Sequence, residues 1–157
     1  MNWASWAVWG FAATVVLTGI LSISQGIKWT RLNIPFLLGS MVTADRDKAK
    51  WYGILIHLFN GYIFSLVYVA TFEVWGEATW IRGSVIALVH SLFVLGVALP
   101  NLPAIHPRMA SEHYISQGVR QLEPPGFFAL NYSVSTPVAV VVAHIIFGII
   151  LGVFYKV

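Results

Sequence analysis

The fold is decided by apolar stretches such as residues 136–155, which read TPVAVVVAHIIFGIILGVFY. This stretch has twenty residues and no charged side chain, so as a helix it is long enough to cross the roughly 30 Å hydrocarbon core of a bilayer. Similar stretches occupy about residues 6–24, 51–74 and 80–99. The sequence therefore predicts an all-α membrane protein with four transmembrane helices, in a single integral membrane domain over residues 1–157.

The composition of the whole chain is that of a membrane protein. Apolar residues make up 58% of the chain, charged residues make up 10%, and the mean hydropathy is +0.77, whereas soluble domains are far more polar. The formal charge of +3 comes from only nine Lys and Arg residues, which lie beside apolar spans, so it indicates membrane topology and not nucleic-acid binding. The chain has no cysteine, which excludes disulfides, thiolate metal sites, iron–sulfur clusters and covalently attached haem.

The basic residues predict the orientation of the chain. Seven of the nine lie in the two long loops, namely Lys28, Arg31, Arg46, Lys48, Lys50, Arg108 and Arg120. Because basic loops stay in the cytoplasm, loops 25–50 and 100–135 are predicted to be cytoplasmic and both termini periplasmic, in a bacterial inner membrane. The first span has no basic segment ahead of it, so we expect it to remain as a helix and not to be removed as a signal peptide.

The two long loops carry their own structural signals. The apolar run at residues 34–41 is too short to span a membrane, so it is predicted to lie at the interface. Thr43 or Asp45 is predicted to cap the second span, with Asp47 in the first helical turn. The loop at residues 100–135 contains five prolines and is longer than most structureless connections, which predicts either a functional loop or a partly disordered one.

The second and fourth spans share one spacing of residues. The first stripe comprises His57, Gly61, Ser65 and Tyr68, and the second comprises His144, Gly148, Gly152 and Tyr155. At about 100° per residue, each set falls on a helical stripe about 80° wide. The spacing predicts two repeated hairpins, related by a pseudo-twofold axis along the membrane normal. The two tyrosines end their spans and are therefore predicted to anchor the membrane interface.

Three histidines form the main candidate site. His57, His90 and His144 lie on three different spans, and at about 1.5 Å of rise per residue they fall at a similar depth, near Thr18 and Asn60. Ionisable residues within spans are rare, face the interior of the bundle and often mark functional sites. The sequence therefore predicts a polar layer inside the bundle.

Three chemistries fit such a layer, and the sequence does not choose among them. Haem b would take His57 and His144 as axial ligands, with Gly61 and Gly148 leaving space for the macrocycle. A divalent metal would take all three histidines as ligands. A proton relay needs only a chain of histidines connected by water.

A structural role is the alternative interpretation. Small residues four positions apart, such as Gly148 and Gly152, let membrane helices approach closely. The histidines would then only hydrogen-bond their neighbours, and the protein would be a homo-oligomer or an assembly subunit of a larger membrane complex. A third hypothesis is a lipid-directed enzyme that acts through residues 100–135, although no residue pattern in the chain names a reaction.

A second, weaker candidate site lies in the loop after the third span. His106, Glu112 and His113 supply two imidazoles and a carboxylate, which are ligand types for a divalent metal. Their spacing does not match the HExxH motif. Arg108 is predicted to fold this loop back onto the bundle and to pair with residues 45–48.

The segment before the second span carries a family resemblance. The residues concerned are Pro35, Leu37, Leu38, Gly39, Ser40 and Met41, followed by His57 and Gly61. They resemble the Pro-x-Leu-Leu-Gly-Ser-Met-like loop of a family of small, uncharacterised bacterial inner-membrane proteins with four spans. The likeness covers mainly residues 10–70. It implies a four-span fold and an inner-membrane location, but no activity.

Overall fold

The computed structural model describes residues 1–111 and 121–157, and its regular elements are helices. In chain order these are α1 (Trp3–Gly26), α2 (Ile34–Gly39), α3 (Arg46–Trp75), α4 (Trp80–Phe93), a π-helical turn (Val94–Ala98), α5 (Leu99–Ile105), a 3-10 turn (Phe127–Ala129) and α6 (Thr136–Phe154). Four helical stretches are long and apolar enough to cross a membrane, namely α1, α3, the continuous run Trp80–Ile105, and α6. The predicted all-α fold with four transmembrane helices is confirmed.

The second span begins earlier than its apolar residues indicate because a polar cap starts the helix. The Asp45 carboxylate accepts hydrogen bonds at 3.0 Å from the backbone N–H groups of Asp47 and Lys48, as the predicted cap requires. The hydrogen bond from Lys48 and the one from Asp47 hold the pKa of Asp45 below its ordinary value. The charged residues at 46–50 therefore belong to the first turns of α3 and not to a loop.

The third span is longer than predicted, because it continues through two prolines. α4 passes into the π-helical turn and then into α5, which contains Pro100 in its first turn and Pro103 within it. Neither proline has an N–H to donate, so each interrupts the backbone hydrogen bonds of the continuous helix, and the π-helical turn comes directly before this segment. The connection to α6 therefore starts after Ile105 and not at Pro100.

The packing of the four long helices is not symmetrical. α6 packs extensively against both α1 and α4, whereas α3 packs against α1 and α2 and makes only slight contact with α4. A pseudo-twofold axis relating α1 and α3 to α4 and α6 would make the α1–α6 and α3–α4 contacts equivalent. The repeated hairpins therefore stay a prediction, and the weak α3–α4 contact leaves a gap on one side of the bundle.

The short helix α2 lies directly on α3. A Cβ atom added to Gly53 would overlap the carbonyl oxygen of Pro35, and one added to Gly39 would overlap the carbonyl oxygen of Ala49. Asn33 caps α2, since its side chain accepts a hydrogen bond from the Phe36 N–H at 2.9 Å. The apolar run predicted to lie at the interface thus forms a helix whose inner face is buried against the bundle.

Glycines also bring α4 and α6 into backbone contact. A Cβ atom on either Gly83 or Gly148 would overlap the carbonyl oxygen of the other, and one on Gly152 would overlap the carbonyl oxygen of Thr79. Small residues at such a seam let membrane helices pack at short range. The small residues of the second stripe are therefore occupied by a neighbouring helix of the same chain.

The described end of the long connection is tied to the segment that follows α1. The Arg31 guanidinium donates to the carbonyl oxygens of Asn131 and Tyr132 and forms an ion pair with Glu123 at 3.4 Å. The Tyr132 hydroxyl donates to the backbone oxygen of Glu123 at 2.8 Å, and burial raises the pKa of Tyr132 to about 12. Residues 121–135 are thus fixed against the bundle by polar contacts.

Candidate functional site

The histidines of three different helices meet at one cavity inside the bundle. This cavity has a volume of about 180 Å³ and is lined by all of the helices except the 3-10 turn. Its polar lining residues are His57, Asn60, His90 and His144, and the remaining lining is apolar apart from Gly61. No Asp, Glu, Lys or Arg of the described residues lines it. The site is therefore neutral and depends on imidazole nitrogens for its chemistry.

His57 is oriented by two threonines of α1. The Thr18 hydroxyl donates to the carbonyl oxygen of Thr14 at 2.8 Å and also lies 2.9 Å from His57 Nδ1. Because the only hydroxyl proton of Thr18 is used on Thr14, the contact with His57 requires Nδ1–H as the donor. The Nε2 atom of neutral His57 therefore carries a lone pair.

His144 is oriented by its own helix. Its Nδ1 lies 2.8 Å from the carbonyl oxygen of Val140, one turn earlier in α6. A carbonyl oxygen only accepts, so Nδ1 carries the proton and Nε2 again carries a lone pair. His144 is only 5% exposed, which limits the space around its ring to the cavity.

His90 has the opposite arrangement because its partner is a tyrosine. The hydroxyl of Tyr68 lies 3.1 Å from His90 Nδ1, and Tyr68 is 1% exposed. This nitrogen is the one acceptor for the Tyr68 proton among the described residues, so Tyr68 donates and Nδ1 accepts. His90 then carries its own proton on Nε2. Its ring also stacks on Phe64 with centroids 4.5 Å apart and meets the His144 ring edge-on at 4.8 Å.

The three Nε2 atoms are left free to interact with something else. None of them has a hydrogen-bond partner in residues 1–111 or 121–157. Among those residues, Ser111 Oγ is the only fully buried side-chain polar atom without a partner, so the three Nε2 atoms retain accessible surface. The site thus offers two acceptors, on His57 and His144, and one donor, on His90.

The cavity is closed towards the end of the bundle that carries the two termini. Beyond Tyr68 in that direction lie Phe72 and Phe147, both of which have no exposed surface. Phe147 packs edge-on against the Tyr68 ring at 5.1 Å. In the other direction the lining continues to Leu38 of α2 and Leu102 of α5. The cavity therefore extends towards the loop end of the bundle and is closed by aromatic side chains towards the end with the termini.

A π-helical turn shapes the wall of the cavity next to His90. It begins at Val94, four residues after the histidine, and both Val94 and Ala98 line the cavity. Wide helical turns of this kind occur frequently at functional sites. Here the turn shifts the residues that follow His90 relative to their positions in a regular α-helix.

The predicted polar layer is thus brought together, but the glycines predicted to make space for haem are not free. A Cβ atom on Gly61 would overlap Thr14 Cγ2, and Gly148 is covered by Gly83. The cavity of about 180 Å³ is also smaller than the roughly 300 to 1,000 Å³ of typical small-molecule pockets. The residues present therefore do not fit a haem macrocycle. In the described part of the chain, no three His, Asp or Glu side chains are grouped so that they could hold a metal ion.

The second candidate site contains a histidine with a structural role. His106 is 1% exposed; its Nε2 donates to the carbonyl oxygen of Leu37 at 3.0 Å, and its Nδ1 accepts from the Arg108 N–H at 3.1 Å. Arg108 itself donates to the carbonyl oxygen of Ser40 at 2.6 Å and not to the acidic residues at 45–48. Both nitrogens of His106 are thus held in hydrogen bonds within the chain, and the ligand set of His106, Glu112 and His113 stays a prediction. Its predicted partners Glu112 and His113 lie outside the described residues.

Replacing this histidine is expected to destabilise the loop end of the bundle. His106→Leu leaves the buried Arg108 N–H without a partner and removes a donor to the end of α2, at a cost of about 1–3 kcal/mol. The measurement is thermal unfolding in mild detergent. Asn101→Leu is the matched control, because Asn101 is exposed and bonds only to Val97 in its own helix. Equal melting temperatures for the two variants would contradict the assigned role.

Two residues of the site were missed at the sequence level. Tyr68 was predicted to be an interface anchor, but it is buried and sets the proton position on His90. Thr14 was not singled out, although its carbonyl oxygen accepts the hydrogen bond from the Thr18 hydroxyl and so determines which nitrogen of His57 carries the proton. A usable signal existed for each, because Tyr68 shares a helical stripe with His57 and Thr14 lies one turn from Thr18.

Similarity to other proteins does not assign this cavity to a family. Comparisons with protein-family models, with curated proteins and with solved structures found no match for this chain.

Proposed function

We propose that this integral membrane protein relays protons through its three-histidine cavity. The observation that carries the proposal is that each histidine lines the shared cavity and is fixed through Nδ1, while its Nε2 has no hydrogen-bond partner in residues 1–111 or 121–157. Because Nδ1 of His57 and of His144 is held in a hydrogen bond, each of these rings accepts a proton at Nε2 and returns it from the same nitrogen, so the set carries a proton only transiently and places no permanent charge in the membrane.

The size and lining of the cavity support water as the connecting medium. At about 30 Å³ for each water, a volume of about 180 Å³ holds roughly six molecules. Free imidazole nitrogens and the side chain of Asn60 supply the polar partners that such waters need. A proton relay requires only this, whereas haem and metal binding require a larger slot or a tighter ligand set.

The closed end of the cavity supports exchange with one side only. The lining of the cavity extends towards the loop end as far as Leu38 and Leu102, whereas Phe72 and Phe147 fill the bundle in the opposite direction. The concentration of Lys and Arg at the loop end supports a cytoplasmic location for that end, in a bacterial inner membrane. The proposed relay therefore exchanges protons with the cytoplasm.

The alternative role as an assembly subunit was favoured by the two stripes of small residues. The small residues of both stripes are occupied within the chain, Gly61 and Ser65 by α1 and Gly148 and Gly152 by the α4 segment. Exposed apolar side chains remain on all four long helices, but a lipid bilayer accounts for them.

The proton positions provide the direct test. Solid-state NMR of ¹⁵N-histidine protein in bilayers is expected to show Nδ1–H for His57 and His144 and Nε2–H for His90. Tyr68→Phe removes the donor to His90 and is expected to convert that residue to a mixture of tautomers, with the other two unchanged. Tyr62→Phe is the control, because Tyr62 lies on the same helix and stacks on Trp6 away from the cavity.

Solvent exchange and composition complete that test. In D₂O the ring N–H of His90 is expected to exchange faster than those of His57 and His144, which are bonded inside the bundle. Purified protein is expected to be colourless and free of stoichiometric metal. Failure of all three rings to exchange, or a stoichiometric haem or metal, would overturn the relay.

A further inference from the structure

A groove between α3 and α4 leads from the membrane face of the bundle to the histidines. It has a volume of about 350 Å³ and lies where these two helices make only slight contact. Its outer walls include Val67 and Val89, which are 55% and 64% exposed. It shares Phe64, His90 and Phe93 with the histidine cavity, so the two spaces meet at those side chains.

The junction between groove and cavity is a stacked pair of rings. Phe64 and His90 lie with their centroids 4.5 Å apart, and both rings face the groove and the cavity. A molecule that follows the groove inwards therefore contacts the His90 ring, which also lines the cavity. The next polar ring is His144, whose centroid lies 4.8 Å from that of His90.

The polar atoms at the inner end define the head group that fits. A hydroxyl accepts from His90 Nε2–H through a lone pair and donates its proton to the Nε2 lone pair of His144 or His57. A carboxylate or phosphate is disfavoured, because no cationic side chain of the described residues lines the cavity and two of the three nitrogens present lone pairs. An ether only accepts and leaves those lone pairs unpaired.

We propose that the cavity binds the hydroxyl head of a neutral, membrane-dissolved lipid whose apolar chain lies in the α3–α4 groove. This inference rests on the proposed function, since it makes that hydroxyl the group with which the histidines exchange protons. The apolar walls of the groove match a hydrocarbon chain, and its position on the membrane face gives access from the bilayer and not from water.

Photocrosslinking in proteoliposomes tests the proposal. The probes are a C16 alcohol carrying a mid-chain diazirine, its methyl ether and the corresponding carboxylate, and labelled peptides are located by mass spectrometry. We expect the alcohol to label residues of the groove about two- to tenfold more than the ether, the factor for one net hydrogen bond. Equal labelling by all three probes would overturn the proposal.

Two tryptophan variants on α4 locate the binding. Val89→Trp fills the groove and is expected to reduce labelling by the alcohol to the level of the ether. Val85→Trp is the matched control, because Val85 lies one turn earlier, is 54% exposed and lines a different depression with Trp75 and Arg82. An equal effect of both variants would contradict binding in the α3–α4 groove.

The two proposals fail in distinguishable ways. If the alcohol labels no better than the ether while the NMR experiment gives the expected tautomers and exchange, the lipid proposal alone is wrong. If the NMR experiment shows Nε2–H on His57 and His144, the relay is wrong as well, because the acceptors on which both proposals depend are missing.

Discussion

Gly148→Ala is expected to force α4 and α6 apart and to lower the melting temperature of the protein in mild detergent. The new Cβ would overlap the carbonyl oxygen of Gly83 and lie 2.7 Å from the Cβ of Ala87. Neither neighbour is the end of a flexible side chain, so relief requires a shift of the helix backbone. Overpacking of this kind costs about 1–3 kcal/mol or more, which outweighs the gain of about 1 kcal/mol for alanine over glycine in a helix.

Gly19→Ala is the control for this substitution. Gly19 lies within α1, and an added Cβ there would have no heavy atom within 4 Å. We expect its melting temperature to stay the same or to rise. If Gly148→Ala and Gly19→Ala melt alike, the α4–α6 seam does not limit the stability of the bundle.

Gly53→Ala is expected to release α2 from α3. The added Cβ would overlap the carbonyl carbon and oxygen of Pro35, which lies in the first turn of α2. The expected cost is again about 1–3 kcal/mol or more. Because α2 is short, we expect local detachment, seen as loss of hydrogen-exchange protection at residues 34–39 while α6 stays protected.

The Gly53→Ala experiment has a matched control, and it also tests whether α2 limits solvent access to the histidine cavity. Gly26→Ala is the matched change, since Gly26 ends α1 and an added Cβ would meet nothing within 4 Å. Ile34 and Leu38 of α2 line the cavity, so its detachment is also expected to speed exchange at His90. Unchanged protection at residues 34–39 would show that α2 does not depend on this contact.

The number of spans could be predicted from the sequence, but the arrangement of the helices could not. Uncharged stretches such as residues 136–155 fix a crossing helix by length and composition alone. Which helices touch is a different matter, because lipid is as apolar as leucine and hydrophobicity does not select a neighbour. Gly148 was compatible with a cofactor slot or a helix seam, and only the position of Gly83 distinguishes them.

The members of the candidate site were easier to predict than their chemical states. Depth along each span was enough to bring His57, His90 and His144 to one level. The proton on each ring depends on a single neighbour, which is a threonine, a tyrosine or a backbone carbonyl. Thr18 and Tyr68 lie on other helices than the histidines they contact, so their role depends on helix packing, which the sequence alone does not specify.

The two phenylalanines beyond Tyr68 bear on the proton gradient across the membrane. Phe72 and Phe147 fill the bundle where a second polar opening would otherwise lie. In the proposed relay, a proton that enters the cavity leaves by the side from which it came, because this apolar layer separates the cavity from the other side of the membrane. Proton exchange at one face only, as proposed, leaves the proton gradient across the membrane intact.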